Sequence, residues 1–244
     1  MLAGVMPLET KRKRRHVASY PYVDENGNLL FEVVRCDPKD FRQRRPDPNR
    51  PGHWVWNLNG TSRVLYGVPG ISKAKAEGRI VVISEGEKDC DALASLNVTA
   101  TCNPGGVGKW LDSYTESLKG AKVIIIPDKD TPGRKHAAAV LNALTGKADS
   151  VQVVELPDRN DHTVNDPADW VKAGGTKAEL EQIIRDAPAT LRSKRPAQRQ
   201  KKDFVIISWT PGARRRQNRW CRMCTKSSTA ARSRPQKLPM CTCR

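Results

Sequence analysis

The sequence predicts an α/β protein: a mostly parallel sheet flanked by helices, preceded by a small β-rich subdomain. Three observations point there. From residue 79 onward, short and wholly apolar runs alternate with segments of helical periodicity, the pattern of strands buried on both faces between crossover helices. Before residue 75 the pattern is instead that of short strands around a hairpin signal. The basic residues that give the 244-residue chain its net charge of +17 lie mostly outside both segments. Residues 192–244 carry +15 and residues 1–16 carry +4, which leaves residues 17–191 at −2. The order is therefore a basic N-terminal arm (1–16), a β-rich lead (17–75), an α/β domain (76–190) and a basic tail (191–244) predicted to be disordered. Such tails commonly neutralise nucleic-acid phosphates.

Within the lead, Tyr20 and Tyr22 precede the turn cluster Asp24-Glu25-Asn26-Gly27-Asn28, whose Asn-Gly pair is a strong short-range hairpin signal. Residues 29–35 are the return strand. The Arg- and Pro-rich stretch 41–51 reads as a connection, and 54–58 as a further strand. Trp54 and Trp56 share one face of it; packing of a small sheet is the preferred use over base stacking. In the α/β part, strands are predicted at 80–84, 98–102, 121–126 and 151–156. Helices are predicted at 88–96, 110–118, 134–144, 166–173 and 177–187. Ala92, Leu93 and Leu96 mark the apolar face of the first of these helices, and Gly146 closes the third. The order of elements is lost near residue 190. Residues 203–209 look like the start of one more strand, but the sequence beyond them cannot build a core.

No apolar run approaches the ~18 residues of a membrane helix. The N-terminus has no apolar stretch ahead of its charges, so it does not read as a secretory signal. Seven cysteines, three of them single and in apolar contexts (Cys36, Cys90 and Cys102), fit a reducing, cytoplasmic setting. Cys221, Cys224, Cys241 and Cys243 offer four thiolates, but nothing periodic between the pairs would build a zinc knuckle, so zinc is not expected there.

Chemistry is concentrated where strands end. The first parallel strand runs into Glu85-Gly86-Glu87-Lys88-Asp89, and a later one into Asp128-Lys129-Asp130-Thr131-Pro132-Gly133. A third loop offers Asp161, Asp166 and Asp169. Ligands of open α/β sheets collect at the carboxyl ends of strands, and several hard oxygens at one rim suit magnesium shared with phosphate. A helix cap explains one acid per loop. For Asp89 or Thr131 taken alone, a cap is the preferred reading.

Apolar strand, Glu-Gly-x-x-Asp, helix, apolar strand, Asp-x-Asp-x-x-Gly is the signature of the Toprim domain, and the chain resembles Toprim proteins of the phage and plasmid primase type. Asn103-Pro104-Gly105-Gly106-Val107-Gly108-Lys109-Trp110, Arg134-Lys135-His136-Ala137 and Asn165-Asp166-Pro167-Ala168-Asp169-Trp170 are similar to further segments of that group. So is the lead, through Asp24-Glu25, Pro38-Lys39 and Arg44-Arg45-Pro46. The resemblance covers roughly residues 20–187. It implies a Rossmann-like sheet and Mg2+- (or Mn2+-) dependent synthesis of RNA primers from NTPs on single-stranded DNA, in a bacterial or phage-infected cell and with a replicative helicase as partner.

By the same resemblance, Glu85, Asp128 and Asp130 are the catalytic acids: Glu85 is the general acid/base and also a metal ligand, and Asp128 and Asp130 hold the metal. Asp89 and Asp166 are further metal ligands or groups that orient them. Lys88, Lys109, Lys129 and Arg134 are candidate phosphate contacts, each equally readable as a solvated surface cation. Nuclease activity and a non-catalytic DNA- or replisome-binding role stay open as alternatives. The zinc ribbon usual in such primases does not precede residue 20. A helicase phosphate loop is not matched either, since residues 105–110 lack its spacing. Residues beyond about 200 read preferentially as the product of a frame shift that truncated a longer protein.

Overall fold

The computed structural model of the chain describes residues 14–159 and 161–187 and the backbone of 191–192. Expectations for the basic tail, its cysteines and residues 203–209 lie outside these residues, as does most of the N-terminal arm.

Strands β1 (Arg15–Val23), β2 (Leu29–Asp37), β3 (Asp40–Pro46) and β4 (Trp54–Val55) form an antiparallel meander in that order. The hairpin turn is where the Asn-Gly signal placed it. Asp24 caps it by accepting the backbone N–H groups of Asn26 and Asn28, and Gly27 takes the φ of +84° that the turn requires. β1 begins at Arg15, just inside the stretch read as the arm. The stretch read as a connection is largely strand β3. Arginines at 42, 44 and 45 occupy much of its length, so charge hides the period-two pattern. One face of this sheet buries Tyr20, Tyr22, Phe31 and Val33, with Tyr22 stacked on Phe31 at 4.5 Å.

A helix that periodicity did not announce, α1 (Val68–Ala76), leads into the second sheet. Pro69 and Gly70 mask its pattern, but Val68, Ile71 and Ala74 are buried at helical spacing. The remaining order is β5 (Ile80–Ile83), α2 (Glu87–Ser95), β6 (Ala100–Thr101), α3 (Asp112–Ser117), β7 (Lys122–Ile125), α4 (Thr131–Leu144), β8 (Ser150–Val153), α5 (Pro167–Lys172) and α6 (Lys177–Asp186). A short β9 (Leu191–Arg192) lies antiparallel to β8, so the sheet gains one strand just beyond the expected end. The spatial order is β6-β5-β7-β8-β9, with the first four strands parallel.

Alternate strand residues explain the two layers of helices. Val81, Ile83, Val123 and Ile125 pack against α1, α3 and α4. Val82, Ile124 and Ile126 pack against α2, α5 and α6 through Leu93, Trp170 and Leu180. Both faces are covered, which is why these strands are uniformly apolar. The strand order reverses between β5 and β7, so the crevice at their carboxyl ends is the topological switch point.

The two sheets meet at the buried Tyr22 hydroxyl, which also lies 3.8 Å from Cys102 Sγ. The Tyr22 hydroxyl donates to Glu87 Oε1 at 2.7 Å, between residues only 0% and 7% exposed. Tyr22→Phe leaves that carboxylate oxygen buried without its donor, and a loss of about 1–3 kcal/mol is expected in denaturant unfolding. A variant as stable as the parent would show that water or another donor replaces the hydroxyl.

Candidate active site

Loop 84–86 turns β5 into α2. Gly86 is the residue before the first helical turn, its φ of −135° and ψ of 163° extended, and its carbonyl accepts the N–H groups of Asp89 and Cys90. Neither Asp89 nor Thr131 is a helix cap, contrary to the reading of each alone. The caps are Asp130 and Asp166. Asp130 accepts the Gly133 N–H at 2.6 Å to start α4, and Asp166 accepts the Asp169 N–H at 2.8 Å to start α5. The third acidic loop is tied to the second by the Lys129 N–H donating to the Asn165 carbonyl at 2.9 Å. Asp161 stands apart in a tight turn between Arg159 and His162.

The five candidate acids fall into two groups. Glu85, Asp128 and Asp130 surround Gly133. A Cβ at that glycine would stand 2.7 Å from the Asp128 carbonyl oxygen and 3.0 Å from both Asp130 Oδ1 and Glu85 Oε2. Two oxygens of this group, Glu85 Oε2 and Asp128 Oδ1, are buried without a hydrogen-bond partner, a costly state for a charged group unless a cation completes it.

Asp89 and Asp166 form the other group, around Lys88. The Lys88 Nζ lies 2.7 Å from Asp166 Oδ2 and 3.7 Å from Asp89 Oδ1. Asp89 Oδ1 also accepts the Ala168 N–H at 3.3 Å.

The carboxyls of the two groups still feel one another's charge. Burial first, then the charges of Glu85, Asp166 and Asp130, pushes Asp128 up to about 7. Burial, then Asp166, raises Asp89 to about 7, with Lys88 opposing. Burial, then Asp130 and Asp89, raises Glu85. For Asp166, burial acts upward but is outweighed by the Lys88 hydrogen bond and the Asp169 N–H, so it is lowered. Carboxyls driven toward neutrality by burial, with neighbouring acids adding to it, are of the kind that mark functional sites.

The cations do not all reach the crevice. Lys129 pairs with Asp158 at 2.5 Å, and Arg134 with Glu155 through 2.7 and 3.2 Å hydrogen bonds. Lys109 is exposed and folds over Gly105. Lys39, in the β2–β3 turn, acts on Glu85 through its charge, which opposes burial and the neighbouring acids. Sequence reasoning missed this role, because 46 positions separate the two residues and only the docking of the two sheets joins them.

Buried His136 was missed as well. Burial lowers its pKa and keeps the ring neutral. Its Nδ1 accepts the Gly108 N–H at 3.3 Å while Nε2 pairs with Asn103 Oδ1 at 3.1 Å, which fixes the glycine-rich 103–108 loop beside α4. A groove of about 620 Å3 between β1, α1, α2 and β6 holds one acid, Asp91, already engaged by the Tyr66 hydroxyl, and lacks comparable chemistry.

Among the described residues no three His, Cys, Asp or Glu side chains are gathered into a ready-made metal cage. A divalent ion at Glu85 and Asp128 would complete its shell with water and phosphate oxygens, which is how magnesium is usually held. The two unpartnered oxygens fit such an ion.

No family model matches the chain, and no curated protein matches it. Solved structures do. The Aquifex aeolicus primase zinc-binding and RNA polymerase domains match at a TM-score of 0.53 and 22% identity, over 70% of this chain and 40% of that one. The E. coli primase catalytic core matches at 0.52 and 21%, over 75% and 56%. A primase catalytic domain bound to single-stranded DNA matches at 0.51 and 20%, over 69% and 51%. The fold is thus that of DNA primase catalytic cores, and the chain spans about half the length of these structures or less.

Proposed function

We propose that the chain is a Toprim-type primase core that transfers nucleotides from NTPs onto a primer strand paired with single-stranded DNA, using Mg2+ or Mn2+. The observation that carries this reading is the pair of unpartnered oxygens, Glu85 Oε2 and Asp128 Oδ1, at the switch point of a primase-like sheet. Glu85 and Asp128 would hold the ion, with Asp130 beside them. Bound there, the ion supplies charge neutralisation and alignment for the triphosphate. Glu85, raised by burial, suits a group that accepts the 3′-hydroxyl proton. Lys129 and Arg134 position the loops through their acidic partners.

The outer face of the lead sheet supports a single-stranded template. The Arg42 guanidinium lies 4.2 Å from the Trp56 ring centroid, and that of Arg44 lies 4.0 Å from Trp54 and 5.5 Å from Trp56. Trp56 is 45% exposed. Indole platforms interleaved with arginines stack bases without sequence preference. Trp56→Ala is expected to weaken binding of a labelled oligothymidylate by about 1–3 kcal/mol, and Arg42→Ala to lower the salt slope by about one. Unchanged binding in both would remove this face from the template path. A replicative helicase remains the proposed partner.

The reading is tested with single-stranded DNA, labelled NTPs and Mg2+ on a denaturing gel, beside Glu85→Ala. New short oligonucleotides that vanish in the variant support primer synthesis. Shortened DNA would make the same acids a nuclease, and no product with DNA still retarded on a native gel would make the chain a binding module.

A further inference from the structure

We infer that Lys88 occupies the second cation position of the acidic rim, so that the crevice takes one divalent ion at Glu85 and Asp128 while an ammonium neutralises Asp89 and Asp166. This inference rests on the metal reading of Glu85 and Asp128 given above, and it separates acids that sequence alone would pool into one metal cluster. The two groups differ in what their oxygens already hold. Glu85 Oε2 and Asp128 Oδ1 are buried and have no partner. Both Asp166 oxygens are engaged, Oδ1 by the Asp169 N–H at 2.8 Å and Oδ2 by Lys88 at 2.7 Å. Asp89 Oδ1 receives the Ala168 N–H at 3.3 Å and lies 3.7 Å from the Lys88 ammonium.

An ammonium can make three hydrogen bonds, and here it faces two carboxylates from different elements. One is on its own helix, α2. The other begins α5, 78 residues away. Lys88 thereby does mechanically what a bridging metal would do: it joins two strand-end loops through their acids. It differs in carrying one charge, in being covalently fixed, and in staying bound when metal is removed. Mg2+ would have to displace it and approach both carboxylates at about 2.1 Å. The Lys88 side chain is 46% exposed and the Asp89 side chain 6%, so the ammonium caps a buried acid from the solvent side, where an incoming ion would have to enter.

The test counts ions on the full chain by Mn2+ electron paramagnetic resonance, with unfolding curves to show that each variant is folded. The parent is expected to bind one Mn2+, Lys88→Met two and Lys88→Arg one. In the Lys88→Met background, Asp128→Asn should return the count to one. Two ions in the parent, or no added ion in Lys88→Met, would overturn the role given to Lys88. The metal reading of Glu85 and Asp128 is judged separately: it falls if Asp128→Asn alone binds as many ions as the parent. The Lys88 inference is judged by the parent count and by the ion gained in Lys88→Met.

Discussion

Asp128→Asn is expected to lower nucleotide transfer on the order of 10^3-fold while making the metal-free protein more stable. The two effects have one cause. In the parent, Asp128 Oδ1 is buried without a partner, and burial with the charges of Glu85, Asp166 and Asp130 pushes the carboxyl up to about 7. An amide keeps the shape, removes the charge and can donate where a carboxylate cannot. Relief of repulsion should add about 1 kcal/mol at pH 8, a modest gain because the site is partly open and screened. On the proposed function, the same change removes a ligand from a divalent ion whose charge neutralisation would be worth several kcal/mol in phosphoryl transfer, each 1.36 kcal/mol being tenfold in rate. Thermal unfolding in EDTA and primer synthesis in Mg2+ read the two arms. A variant that is both less stable and fully active would contradict the account on each.

Gly133→Ala is the second large effect, and it differs in kind. The new Cβ meets the Asp128 carbonyl oxygen at 2.7 Å, and this is backbone that cannot swing aside. It also meets Glu85 Oε2 and Asp130 Oδ1 at 3.0 Å. The loop must shift, which strains the 2.6 Å bond from the Gly133 N–H to Asp130 that starts α4. Overpacking and a weakened cap should together cost about 2 kcal/mol. A displacement near 1 Å at the acids should lower the rate on the order of 10^2-fold. Rate measurements well below the melting temperature separate the second loss from the first. A stable and fully active Gly133→Ala would mean that the acids do not converge on this glycine.

Much of this arrangement is written in the chain itself. Strands buried on both faces must be continuously apolar, so β5 and β7 are visible as such, and their ends locate the acids. The Asn26-Gly27 turn is equally explicit, since the backbone there needs a positive φ. What the pattern hides is long-range or disguised. Strand β3 presents Arg42 and Arg44 outward, where indoles cover them, and so reads as polar loop. Two sheets must dock before Tyr22 reaches Glu87 or the Lys39 charge acts on Glu85. Asp89 and Asp128 both read as strand-end acids in sequence; the Ala168 N–H and the Lys88 ammonium beside Asp89, against an unpartnered Asp128 Oδ1, tell them apart.

The most direct test is the pH dependence of Mg2+ binding, measured by isothermal titration calorimetry at pH 6 and pH 8 in buffers of different ionisation enthalpy. Asp128 is raised to about 7 in the metal-free fold, so at pH 6 it is mostly protonated and must release its proton to bind the ion. Raised carboxyls lend the metal-free protein stability at low pH that is lost as pH climbs toward 7, and the ion should restore it. Affinity about tenfold tighter at pH 8 than at pH 6 is expected for one such group, with close to one proton released per ion at pH 6. Both features should disappear in Asp128→Asn. Mg2+ binding that is equally tight at both pH values, releases no proton and survives in the variant would contradict the claim that Glu85 and Asp128 hold the ion.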